Sequence, residues 1–316
     1  MGCDRRIVST ISVVIPAFNR PNALRRALGS IASQTMLPLE VIVCDDGSEP
    51  DLRLVVESFQ QKGISLQYLR IENSGGPARP RNIAIEAASG TWVAFLDSDD
   101  WWTADRLEIV AKSLNQTRDM LYHKLRVVEA IGASGGKVNR RRQLTIGQPM
   151  GRDVFEHLTC IGNAIPTSTV IARRSVLLDA GGFREEPCYR AVEDFELWIR
   201  LARRGARIGF LDAILGWYST GDGISVASLA QMERHRLVLK SYSDCAPDTQ
   251  RTAIEARINY VDATYLLGAG QPGAALRSLR RAGGLVSRNQ RFVRWIKMGQ
   301  ALVRTASMAL SARRLG

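Results

Sequence analysis

Two short apolar runs each end in a cluster of aspartates, and this repetition constrains the fold more than any other feature of the chain. Val41-Ile42-Val43-Cys44 leads into Asp45-Asp46-Gly47-Ser48, and Trp92-Val93-Ala94-Phe95-Leu96 leads into Asp97-Ser98-Asp99-Asp100. A buried strand that delivers carboxylates at its end is how an open α/β sheet builds a ligand site. One such cluster alone would read as a turn with a helix cap. Two at equivalent positions point to a crevice that holds something cationic, hydroxylated or both.

Strand and helix patterns alternate around these runs. Residues 11–15 are a β-branched run stopped by Pro16, and residues 23–34 carry Leu24, Ala27, Leu28 and Ile31 at helical spacing. Residues 39–44 read as a strand, 51–61 as a helix with Leu52, Val55, Val56 and Phe59 on one face, and 66–71 as a short strand. The Gly-rich turn Ser74-Gly75-Gly76-Pro77 precedes a helix through Ile83 and Ala87, then the strand at 92–96. The alternation predicts an α/β fold with a doubly wound, mostly parallel sheet and a ligand at the strand carboxyl ends.

Six blocks then stand in a specific order. They are Ser12-Val13-Val14-Ile15-Pro16-Ala17-Phe18-Asn19-Arg20, Ser30-Ile31-Ala32-Ser33-Gln34-Thr35, Glu40 with the first Asp cluster, residues 72–82, residues 95–102 and Glu193-Asp194-Phe195-Glu196-Leu197-Trp198. Over residues 7–225 the chain resembles the family-2 inverting glycosyltransferases with a GT-A, Rossmann-like fold. A lone Asp-x-Asp is common by chance, whereas six blocks in order are specific.

The resemblance implies transfer of a sugar from a nucleotide-diphosphate donor, UDP-type favoured, to an acceptor hydroxyl. The chemistry of the residues agrees. Departure of a diphosphate leaves negative charge that a divalent cation can neutralise, and Mg or Mn takes carboxylate and phosphate oxygens. By resemblance Asp99 is the direct metal ligand and Asp97 faces the donor ribose or sugar. Asp100 is read either as part of that acidic group or as the N-cap of a helix beginning near Thr103. Asp46 resembles the carboxylate that reads the donor's base, with Pro16, Ala17 and Phe18 walling the base pocket. Arg81 is expected on the donor side, since arginine suits phosphate, although Pro80 replaces the usual small residue before it. An inverting transfer needs a base for the acceptor proton. Asp194 is the preferred candidate and Glu193 the alternative; acids in a first helical turn also simply favour the helix dipole. Where many relatives carry a histidine, this chain has Thr220, Gly221 and Asp222. Specificity is expected from residues 122–169.

Two other activities compete. A nucleotidyltransferase of related fold would carry a Gly-rich, basic loop after the first strand, where this chain has Pro16-Ala17-Phe18-Asn19. A catalytically silent membrane-bound scaffold would have no need of Asp99 and Asp194.

The expected division is a catalytic domain at 1–224 and a basic helical extension at 225–316. The extension holds fifteen Lys/Arg against five Asp/Glu, a net +10 of the chain's +12. Residues 254–267 and 272–282 predict a helical hairpin, followed by a helix over 291–310. On that last helix Phe292, Trp295, Ile296, Leu302, Val303 and Ala306 share a face opposite Arg291, Arg294, Lys297 and Arg304. This pattern suits an anionic membrane surface; alternatively the apolar face docks on the catalytic domain with the basic face solvated. A second basic run, Lys137 with Arg140-Arg141-Arg142, could meet a lipid diphosphate or acidic glycan. No nucleic-acid recognition motif accompanies the charge. The five cysteines show no metal spacing, the polar start at residues 1–6 lacks a signal-peptide core, and apolar runs are too short to span a bilayer. These features predict a cytoplasmic protein; the family resemblance and the basic tail together imply a peripheral position on the inner face of the cell membrane, in polysaccharide or lipid-linked glycan assembly. The oligomeric state is left open.

Overall fold

The computed structural model describes residues 10–60, 63–129, 144–220 and 228–315, with side chains through 307. Cys3, Lys137, Arg140-Arg141-Arg142, Gly221 and Asp222 lie outside the described residues. The chain forms two compact units: Met1–Met150 with Ala164–Gly223, and Gly151–Asn163 with Ile224–Gly316.

The first unit follows the expected alternation: β1 (Ile11–Ala17), α1 (Pro21–Ala32), β2 (Glu40–Asp45), α2 (Arg53–Glu57), β3 (Leu66–Arg70), α3 (Ala78–Ala87) and β4 (Trp92–Phe95). It continues with β5 (Trp101–Trp102), α4 (Arg106–Ser113), β6 (Met120–Glu129) and β7 (Thr145–Ile146). After α5 (Val154–Glu156), which belongs to the second unit, come β8 (Ile171–Arg173), α6 (Arg174–Asp179), α7 (Glu193–Arg203) and β9 (Ile208–Thr220). α1 starts earlier than its apolar spacing predicts because Pro21 is pre-set for a first helical turn. α2 is shorter than predicted.

The sheet order is β3-β2-β1-β4-β8-β6-β9-β5, with β7 on β6. β3, β2, β1 and β4 run parallel; β8 is antiparallel to both β4 and β6, β9 is parallel to β6, and β5 is antiparallel to β9. The sheet is thus parallel in the half that carries the alternating pattern and mixed beyond β4. Chain order reverses between β1 and β4, which opens a crevice at their carboxyl ends. Val13, Ile15, Val41, Val43, Trp92 and Ala94 are sealed in the core, as continuous apolar runs covered on both faces must be. Both Asp clusters emerge beside the crevice.

The second unit is helical. α5 passes into a π-helical turn at His157–Ile161, and α8 (Leu229–Ser243), α9 (Asp248–Gly268), α10 (Pro272–Arg281) and α11 (Arg288–Leu315) follow. Gly270, at φ 71°, ends α9 in the left-handed conformation that closes the predicted hairpin. Ala263, Leu267, Ala275, Leu279 and Ala301 form its small core. Among the described residues, no helix is long and apolar enough to cross a membrane.

Candidate active site

The first Asp pair divides its work. Asp45 is fully buried; it accepts from the Ser48 backbone N–H at 2.9 Å and from the Tyr68 hydroxyl at 2.5 Å. It holds the turn. Asp46 Oδ1 accepts from both the backbone N–H and the hydroxyl of Ser74, each at 2.8 Å. Burial raises the Asp46 pKa, with the two Ser74 bonds opposing. Phe18 is 44% exposed just past β1, whereas Pro16 is buried within the strand.

The second cluster is held by arginines. Arg20 donates to Asp99 Oδ2 at 2.6 Å, and Arg26 donates to the Asp99 carbonyl at 2.7 Å while lying 4.2 Å from the Trp101 ring centroid. Burial raises the Asp99 pKa and the nearby Asp97 adds to it, against Arg20. Asp100 is not an N-cap. α4 begins only at Arg106, and Asp100 Oδ1 instead accepts the Ser219 N–H at 2.9 Å, fastening the acidic loop to β9. Burial, then Asp99 and Asp97, push the Asp100 carboxyl well above the usual range.

Arg81 lies buried at the centre. It donates to Asp97 Oδ1 at 2.6 Å and to Glu193 Oε1 at 2.9 Å, with the Phe183 ring 5.1 Å from its guanidinium. Both terminal nitrogens thus face carboxylates. Pro80 does not disturb this arrangement, because it sits in the first turn of α3 where its missing N–H has no intrahelical partner to lose.

Glu193 and Asp194 open α7. Glu193 is buried and tied to Arg81; Asp194 is half-buried and accepts from the Thr167 hydroxyl at 2.9 Å and from the Phe195 N–H at 2.6 Å. Burial raises both carboxyl pKa values, with Arg81 opposing. Ala191, at φ 63°, adopts a left-handed backbone two residues before the pair, a strained conformation of the kind that gathers at functional sites.

Sequence reasoning left Arg26, Thr167 and Tyr218 without roles and passed over Arg20 within a quoted block. Burial and the surrounding Asp97, Asp99, Asp100 and Asp194 push the Tyr218 phenol up to about 12. Only the strand pairing of β9 brings it there.

Among the described residues no group of three or more His, Cys, Asp or Glu converges as a complete metal site. The oxygen donors of Asp97 and Asp99, both partly exposed, nonetheless fit a hard cation that draws its remaining ligands from a diphosphate.

The fold and this arrangement define a class: an α/β protein with acids gathered at the switch point of its sheet. Residues 12–174, more than half of the chain, match the family described as glycosyl transferase family 2. The chain belongs to that family, and its GT-A fold is the one the six blocks led us to expect. A similar protein is WfgD of Escherichia coli, named as a UDP-Glc:alpha-D-GlcNAc-diphosphoundecaprenol beta-1,3-glucosyltransferase, 34% identical over 119 residues, 37% of this chain and 46% of WfgD. Another is TarS of Staphylococcus aureus (strain Mu50), named as a poly(ribitol-phosphate) beta-N-acetylglucosaminyltransferase, 34% identical over 216 residues, 66% of this chain and 35% of TarS. The chain therefore spans less than half the length of each of these relatives. The fold matches the crystal structure of TarS 1-349 with TM-score 0.57 at 22% identity, covering 97% of this chain and 92% of that one. It also matches the Pyrobaculum calidifontis mannosyltransferase PcManGT in complex with GDP-Man and Mn2+, TM-score 0.56 at 17% identity, covering 95% and 86%.

Proposed function

We propose that this protein moves a sugar from a nucleotide-diphosphate donor, UDP-type favoured, to an acceptor hydroxyl with inversion at the anomeric carbon. One observation carries the reading: of the two adjacent acids at the head of α7, Glu193 is committed to Arg81 while Asp194 remains partly open. Asp194 takes the proton from the attacking hydroxyl. Its raised pKa brings it closer to that task at neutral pH. Thr167 orients its carboxylate. Arg81 holds the Asp97 and Glu193 carboxylates in place through its two terminal nitrogens rather than meeting phosphate itself. Asp46, Pro16 and Phe18 receive the base, and Asp97 the ribose or sugar. Asp99, with Asp97 beside it, would hold a divalent cation, which when bound supplies positive charge against the departing diphosphate. The activities for which WfgD and TarS are named support a lipid-linked or polymeric glycan as acceptor in cell-surface assembly. Family membership leaves no ground for the nucleotidyltransferase alternative; the silent scaffold is separated by assay.

A panel of nucleotide sugars is tested by thermal shift with Mn2+, where a bound donor raises apparent stability with occupancy. The selected donor is then offered with candidate acceptors, and the product's anomeric configuration is read by NMR. A UDP-sugar and an inverted linkage are expected. Retained configuration, or full activity in excess chelator, would sink the proposed mechanism.

A further inference from the structure

α11 is amphipathic in the reverse of the usual sense. Three of its cations reach back to the neighbouring helices: Arg294 donates to the carbonyl of Leu279 at 2.6 Å and of Arg280 at 3.4 Å, and Arg304 to that of Leu267 at 3.2 Å. These carbonyls lie in the last turns of α10 and α9, at the negative ends of their helices, where a guanidinium is favoured. Lys297 donates to the Thr264 hydroxyl at 2.6 Å and lies 4.6 Å from the Tyr260 ring centroid. Ala301 fills the space between these contacts.

The opposite face is left to the outside. Phe292 is 66% exposed, Trp295 64% and Val303 70%, with Ile296 and Leu302 exposed between them. At 100° per residue these five side chains form one stripe. An exposed apolar stripe with two large aromatics marks a surface that something covers.

The charge around the stripe selects the occupant. From residue 263 to 316 the sequence holds ten Lys/Arg and no Asp or Glu. Arg288 and Arg291, at the amino end of the stripe, are exposed. A second copy of the same helix would set these cations against one another. A nucleic acid would match the charge, and its bases could stack on Phe292 and Trp295, but it would leave the aliphatic Ile296, Leu302 and Val303 uncovered. A bilayer surface with anionic headgroups satisfies both features at once, taking the apolar stripe into its interface and the arginines among its phosphates. We infer that the outer face of α11 is a docking surface for an anionic lipid bilayer, with Phe292 and Trp295 inserting and Arg288 and Arg291 contacting headgroups. The face the sequence marked as apolar is free for this role because Arg294 and Arg304 are held by the ends of α10 and α9.

The test is sedimentation of the full chain with phosphatidylcholine vesicles, with and without phosphatidylglycerol. Expected is pelleting only with the anionic vesicles, weakened by salt. The double variant Phe292→Ser with Trp295→Ser should bind roughly tenfold or more weakly, and Arg288→Gln with Arg291→Gln likewise. All four side chains are exposed, so both variants should keep the wild-type circular dichroism and melting temperature. Equal pelleting of wild type and variants, or equal binding to neutral vesicles, would overturn the inference. So would a dimer in sedimentation velocity that the Phe292/Trp295 variant dissolves while no vesicles are bound. The assay uses no sugar donor, so its outcome is independent of the proposed reaction.

Discussion

Glu193 and Asp194 are neighbours in sequence and differ in their surroundings, so substitutions should separate them. Asp194→Asn keeps an oxygen for the Thr167 hydroxyl and removes the base. Turnover should fall about a hundredfold or more with donor affinity near wild type. Because burial raises the Asp194 pKa, the acid limb of kcat/KM should lie above the ordinary aspartate value of about 3.9. Glu193→Gln leaves buried Arg81 half-paired and should cost roughly 3–5 kcal/mol in urea unfolding, as breaking a buried pair does. If Glu193→Gln instead spares stability and removes turnover, the two roles are reversed. Asp100 makes a prediction with a definite sign. Its folded-state pKa is raised by burial, so the native state holds its proton more tightly than the unfolded chain. Stability is unaffected below the unfolded value of about 3.9, falls as pH rises above it, and levels off above the folded pKa. In metal-free protein Asp100→Asn should therefore melt higher than wild type at pH 7 and equally at acid pH, because the amide oxygen still accepts from Ser219. Scanning fluorimetry across pH checks this.

The elements that deliver these side chains are coupled through one loop. Asn82 on α3 donates to the Phe183 carbonyl at 2.9 Å and accepts its N–H at 2.7 Å. Phe183 in turn packs edge-on to Phe95 and to Trp198 on α7. Gly182 makes the approach possible: it lies at φ 65°, and a Cβ there would run into the Asn82 amide. Gly181, at φ 81°, has open space around it. Gly181→Ala should cost roughly 1–2 kcal/mol of backbone strain. Gly182→Ala adds the clash and lost hydrogen bonds, and should lower both stability and turnover further. Equal melting temperatures for the two variants would mean the Asn82 clasp contributes nothing.

At the scale of the molecule, residues 151–163 are far from the C-terminal helices in sequence and belong with them in space. Leu158 and Cys160 are buried, Phe155 lies edge-on to Tyr242 at 5.9 Å, and Gln290 donates to the Ile161 carbonyl at 2.6 Å. A chain ending at residue 224 would carry this segment without its partners. It should be recovered poorly as soluble protein or melt well below full length, even though every proposed catalytic residue precedes residue 224. Full solubility with an unchanged melting temperature would show that the first unit stands without the helices.

Much of the first unit was legible because its determinants are local. A strand or helix is set by residues a few positions apart, so the runs at 11–15 and 92–96 and the spacing of Leu24, Ala27, Leu28 and Ile31 announced β1, β4 and α1 directly. The ordered blocks identified the family by the same linear reading, and they placed Asp46, Asp97, Asp99 and the Glu193-Asp194 pair at the ends or starts of elements. What the side chains do to one another was not legible. Arg81 and Glu193 are 112 positions apart, Asp100 and Ser219 are 119 apart, and Gln290 and Ile161 are 129 apart. The sequence by itself determined the alternation, the family and the inventory of acids. Only the tertiary structure decided that Arg81 serves carboxylates, that Asp100 ties down β9, that residues 151–163 join the helical unit and that α11 shows its apolar face outward. Local propensity acts along the chain, whereas ion pairs, buried charges and the ends of other helices act through space, and folding determines which groups they meet.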